Sequence, residues 1–90
     1  MRLDMFLRVS RIIARRPLGK RLCDNGAVRV NGRTAKAAQE IRAGDIIEVD
    51  APGARHRYRV ERLPDGRNVA RTEARELATL LDTERKDILD

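Results

Sequence analysis

The order of hydrophobic periods along this chain predicts an α+β fold: two N-terminal helices packed on a small, mostly antiparallel sheet, with a C-terminal helical tail. Three observations carry that expectation. Apolar residues recur at the helical period up to Asn25, and the period changes to two from Ala27. Inside the period-two region, Asn31-Gly32 and Gly44-Asp45 stand as tight-turn signals. Ninety residues then support one domain with a core of limited size. We divide the chain into a body at 1–66 and a tail at 67–90.

The first helix is expected from Arg2 to Ala14. At 100° per residue Leu3, Phe6, Leu7, Ile13 and Ala14 share one apolar arc, widened by Met5, Val9 and Ile12. Asp4, Arg8, Arg11 and Arg15 fall on the remaining narrow strip. A lone basic strip is ordinarily a solvated face, but Arg16, Lys20 and Arg21 follow at once. Pro17 suits a helix's first turn and pushes Arg16 out of the helical region. A second helix of about two turns then places Leu18 and Leu22 on one face, and Asn25-Gly26 can take the left-handed cap conformation.

Strands are expected at Val28–Val30, around Thr34–Ala37, at Ile46–Asp50 and at Arg55–Leu63. In the last, Arg55, Arg57 and Arg59 alternate with His56, Tyr58 and Val60, so one face is all arginine and the other buries Tyr58 and Val60, with His56 expected at the surface. Pro52-Gly53 and Pro64-Asp65-Gly66 punctuate either side. From Val69 to Asp90 the spacing of Leu77, Leu80, Leu81 and Ile88 is helical. That segment could be a docked helix, a frayed tail or a partner-binding segment.

Charge narrows the function. The net charge is +6, with 16 Lys/Arg against 8 Asp/Glu in residues 1–68 and 4 against 6 beyond. A basic body with a mildly acidic tail points to nucleic acid, through neutralised phosphates and released counterions. Membrane binding is the weaker reading: no apolar run approaches the roughly 20 residues of a spanning helix, and no signal-peptide pattern is present. A single Cys23 excludes an internal disulfide framework and fits a reducing, cytoplasmic setting.

Catalytic constellations are not expected. His56 lacks Cys or His partners with metal-ligand spacing, Cys23 has no histidine near it in sequence, and no phosphate-binding glycine loop occurs. The expectation is a non-enzyme with no cofactor and no metal. With one Tyr, one Phe and no Trp, a stacking platform for single strands is missing. Structured RNA, held by backbone and shape, suits the inventory better than a DNA major groove. The second helix opens with Leu18, Gly19 and Lys20, which read few base edges. A small DNA-binding protein using the same two helices remains the alternative.

The stretch from Arg2 to Asp50 resembles the RNA-binding domain named after ribosomal small-subunit protein four. The marks are Arg2-Leu3-Asp4 with Phe6-Leu7, the basic turn, Gly26-x-Val28-x-Val30-Asn31-Gly32, Lys36, and Gly44-Asp45 before an Ile/Val strand. The resemblance implies that Arg2, Arg8, Arg11, Arg15, Arg16 and Lys20 grip the backbone of structured RNA, extended by Arg33 and Lys36. Nothing catalytic follows the domain in this chain. It therefore looks like the stand-alone RqcP-type members of bacterial ribosome quality control, relatives of the small heat-shock members that have a longer basic extension. That likeness implies binding to the obstructed large subunit, with contacts to its rRNA and peptidyl-tRNA; a monomer is expected because the exposed faces look charged rather than apolar. It also implies a protein partner that directs C-terminal tailing of the stalled chain. Large-subunit recycling, as in the heat-shock relatives, is the alternative.

Overall fold

Leu3, Phe6 and Leu7 have no exposed surface, and they decide where the first helix can lie. In the computed structural model, which describes residues 1–66 and 68–85, they sit on helix α1 (Leu3–Val9). Seven residues are too few to hold a helix in water. Here α1 is held by burial and by backbone bonds to the segment before the third strand. The Leu3 N–H donates to the Gln39 carbonyl at 2.7 Å, the Asp4 N–H to Ala37 at 3.1 Å, and the Ile41 N–H to Met1 at 3.0 Å.

The helix stops at Val9, five residues short of the sequence expectation. Ser10 caps it and Arg11 takes a left-handed φ of 63°. The Arg11 N–H donates to the Arg8 carbonyl (3.1 Å), as in a Schellman closure, and the Ile13 N–H to Leu7 (3.0 Å), one residue beyond that motif's second bond, all without a glycine. Ile13 still reaches the core, at 7% exposure, but by this reversal rather than along a helical arc. Helix α2 (Arg16–Asp24) begins at Arg16, with Arg15 as an extended N-cap. That is one residue earlier than the proline argument places it. Pro17 so close to the helix start costs no hydrogen bond, because first-turn N–H groups lack helical partners. Gly26, at φ 74°, turns the chain out of α2 as expected.

The sheet has strand order β2-β1-β3-β4-β5 and every pairing is antiparallel. Its strands are β1 (Val28–Val30), β2 (Arg33–Thr34), β3 (Ile46–Ala51), β4 (Ala54–Val60) and β5 (Ala78–Arg85). Asn31 (φ 52°) and Gly32 (φ 83°) are both left-handed, as the hairpin signal requires. Asn31 does a second job. Its Oδ1 accepts the Ile46 N–H at 2.9 Å and its Nδ2 donates to Asp45 at 3.1 Å, while Asp45 also accepts the Arg42 N–H at 2.9 Å. The two turns are thereby clamped together. Val28, Val30, Ile47 and Val49 face the helices, and with Ile41, Val60 and Leu77 they complete one core.

The tail departs from its helical reading. Only α3 (Arg71–Leu77) is helical, and β5 follows it directly as an edge strand against the whole of β4. Leu80 pairs with Tyr58, and a bulge sits beside Leu81, so the spacing of 77, 80 and 81 reflects a strand irregularity rather than a helix face. Unsatisfied backbone along β4 is the physical reason: a strand with an open edge recruits whatever extended chain is nearest. Arg67 and residues 86–90, including Ile88 from the sequence pattern, lie outside the described residues.

Replacing Asn31 with Ala should lower stability by about 1–2 kcal/mol, from two lost hydrogen bonds and an unfavourable left-handed alanine. Asn31→Gly, which keeps the turn but not the clamp, should fall between the two in a urea titration.

Candidate nucleic-acid interface

The fold distributes the basic residues into two groups at the ends of α1. Because α1 stops at Val9, Arg11 and Arg15 do not continue a helical strip with Arg8. They lie on the α1–α2 turn, together with Arg16 at the first position of α2 and Lys20 one turn on. At the other end of α1, about 10 Å away by helix rise, Arg2 stands beside the loop that carries Lys36. Arg33 belongs to the short strand β2. Arg11, Arg15, Lys20, Arg33 and Lys36 are exposed; Arg8 is half-buried, its guanidinium 3.1 Å from the Met5 sulfur. Arg2 is exposed but already engaged, donating twice to the Asp4 carboxylate at 3.1 Å.

Pairing separates the cations more sharply than position does. Among the described side chains, which leave Arg16 aside, no Lys or Arg from Arg8 to Arg42 makes an ion pair. All four described arginines from Arg55 to Arg62 do. Arg57 meets Asp82 at 2.8 Å, Arg59 meets Glu61 at 3.0 Å, Arg55 lies 3.8 Å from Asp50, and Arg62 bridges Glu73 and Glu76. Register explains part of this. One row across the outer sheet face runs Thr34, Arg29, Glu48, Arg57, Asp82, so strand β5 brings a carboxylate directly opposite Arg57. The arginine face of β4 is therefore largely neutralised, while the turn and loop cations keep their full charge for a ligand. Among the described residues Arg71, Arg75 and Arg85 make no ion pair either, but acids flank them along the chain.

Sequence reasoning omitted Arg21 and Arg42 from the site, although both are exposed and outside any ion pair among the described residues. The turn signal Gly44-Asp45 could have pointed to Arg42, since Asp45 binds its backbone. Glu40 sits near the same corner, its carboxyl lowered by the bond from the N-terminal amine at 2.8 Å.

Cys23 and His56 do not form a pair on this scaffold. The Cys23 thiol is buried and pushed up to about 11, chiefly by burial and then by Asp4 and Asp24. A nucleophilic cysteine needs the opposite shift. His56 Nδ1 is 3.0 Å from the Thr83 hydroxyl. Among the described residues, no cluster of three His, Cys, Asp or Glu side chains is placed to hold a metal, and no helix is long and apolar enough to cross a membrane.

A family model for the S4 domain matches residues 1–47. A protein of Listeria innocua named RQC P-site tRNA stabilizing factor is 37% identical over 87 residues, covering 97% of this chain and 92% of that one. The chain belongs to the S4 domain family, in the branch of the RQC P-site tRNA stabilizing factors. A Helicobacter pylori relative of the same name is 38% identical over 71 residues, or 79% of this chain and 84% of that one. For Halalkalibacterium halodurans the identity is 53% over 49 residues, 54% of this chain and 56% of the relative. Two solved structures share the S4 architecture. The trimeric Heat Shock Protein 15 of Vibrio cholerae has a TM-score of 0.78 at 26% identity, covering 89% of this chain and 80% of that one. The solution structure of hypothetical protein HP1423 has a TM-score of 0.79 at 33% identity, covering 91% and 98%.

Two outcomes follow from this geometry. Arg11→Gly relieves a left-handed arginine and should raise stability by about 0.5 kcal/mol, while weakening RNA binding in the same preparation. Cys23 should resist iodoacetamide at pH 8 in the native protein and react promptly in denaturant.

Proposed function

We propose that this chain is a non-enzymatic RNA-binding factor of ribosome-associated quality control. It steadies peptidyl-tRNA in the P site of an obstructed large ribosomal subunit. In this reading Arg2, Arg8, Arg11, Arg15, Arg16, Lys20, Arg33 and Lys36 grip phosphates of that tRNA and of large-subunit rRNA at once. The protein acts as a cytoplasmic monomer whose S4 body is residues 1–66, and 67–90 form its tail. A protein partner adds the C-terminal tail to the stalled chain while the tRNA is held. The observation that carries the proposal is the set of exposed, unpaired cations on the α1–α2 turn and neighbouring loops. Near full-length likeness to proteins named for P-site tRNA stabilisation supports it.

The physics suits a holding role. Unpaired guanidinium groups on a short, capped turn meet phosphates without first breaking a protein ion pair, and arginine's planar fork binds two phosphate oxygens. No reacting group is needed, because keeping tRNA in place requires affinity and shape alone.

Arg15→Ala should weaken binding to tRNA roughly 10- to 100-fold, as expected for about 1.5–3 kcal/mol of charge-assisted bonding. It should also reduce the slope of log affinity against log salt by about one. Arg57→Ala, which removes a cation already held by Asp82, should change neither. In cell lysate the wild-type protein should co-sediment with large subunits carrying peptidyl-tRNA, and Arg15→Ala should move to the top of the gradient. Tighter binding to duplex DNA than to tRNA at matched salt would overturn the assignment.

A further inference from the structure

The α1–α2 turn does not close completely on the sheet. Beneath it lies an open groove of about 440 Å³, within the common range of ligand clefts of roughly 300–1,000 Å³. Ile12, Leu18, Leu22 and Val49 make its apolar walls, His56 and Tyr58 contribute rings from β4, and Arg15 stands on its lining. Among the described residues, no carboxylate lines it. Leu18 is 41% exposed between the cations Arg15 and Lys20, an odd place for a large apolar side chain if the turn only gripped phosphates.

The two rings are one strand period apart, their centroids 6.5 Å apart and their planes tilted by 48°. The Thr83 hydroxyl engages His56 through Nδ1, leaving Nε2 as the ring's other polar atom. Tyr58 is half-buried, and among the described residues its hydroxyl makes no hydrogen bond. Flat apolar walls, ring faces and polar ring edges suit a nucleobase, which presents a π-face and hydrogen-bonding edges together. Unpaired cations at the turn supply the attraction for the phosphate next to it.

We propose that this groove receives one unstacked nucleobase of the bound RNA, with Tyr58 and His56 against the base and Arg15 on its phosphate. This rests on the RNA-binding reading above and deepens it. The protein then distinguishes RNA with an unpaired nucleotide at the contact from a fully paired stem. In this reading β4 alone supplies both rings, in a fold whose only other aromatic ring among the described residues, Phe6, is buried in the core.

The chain has one Tyr and no Trp, so its intrinsic emission reports Tyr58 alone. The test titrates the protein with two RNA hairpins of equal phosphate number, one fully paired and one with a single bulged purine. The bulged hairpin should bind more tightly and quench the emission, and the paired one should bind without quenching. Tyr58→Leu should weaken the bulged hairpin roughly 5- to 150-fold, the stacking expected for one base, and leave the paired hairpin and the salt slope unchanged. Leu18→Ser, a change at an exposed position outside the core, should give a selective loss in the same direction. Binding of both hairpins without quenching, or equal weakening of both by Leu18→Ser, overturns the groove while sparing the RNA reading. Failure of the wild type to bind either hairpin overturns both. Quenching by an acidic, leucine-rich peptide but not by bulged RNA assigns the groove to a protein.

Discussion

The left-handed closure at Arg11 is the constraint on which the rest of the structure depends. Ending α1 after two turns lets Ile13 fold back under Leu7 and starts α2 close by. Had the helix run on to Ala14, the arginines would have formed one strip along a rod. Instead they crowd onto a turn, where few backbone atoms separate Arg11, Arg15 and Arg16. A non-glycine residue in this conformation costs on the order of 1–2 kcal/mol, and such strain is retained where surrounding structure over-determines it. Here the over-determining parts are the Ser10 cap and the buried Ile13. The same reversal holds the turn above the sheet and leaves the groove beneath it.

The second organising fact is how carboxylates are distributed. Exposed ion pairs contribute little to stability, usually less than about 1 kcal/mol each, so their value on β4 lies elsewhere. Asp82 and Glu61 occupy arginines that would otherwise present a second basic surface. The neutralised sheet face and the uncompensated turn together give the small molecule a direction. A phosphate backbone meets full charge on the helical side and a balanced surface on the outer sheet. Electrostatic steering then orients the encounter as well as strengthening it.

What could be read from the residues alone was whatever is encoded locally. Asn31-Gly32 announced a hairpin because both positions need positive φ, and the structure has 52° and 83° there. Gly26 and the alternation of β4 were equally legible, as was the basic cluster, since side-chain charge is a property of the chain; Pro17 marked the start of α2 to within one residue. The end of α1 was not legible. No glycine marks Arg11, and Ile13 and Ala14 keep the helical period by coincidence, because the core accepts Ile13 from either route. The tail was misread for a related reason. Leu77, Leu80 and Leu81 match a helix, but an open β4 edge offered seven backbone pairings that local propensity does not see. The site divides along the same line. Which residues are cationic, and that most of them fall in the first 68 positions, the sequence determined by itself. Which cations stay unpaired, and that a groove with two rings opens beside them, only the tertiary structure decided. Pairing and concavity are relations between strands and turns distant in the chain, set by register and packing rather than by any residue's own preference.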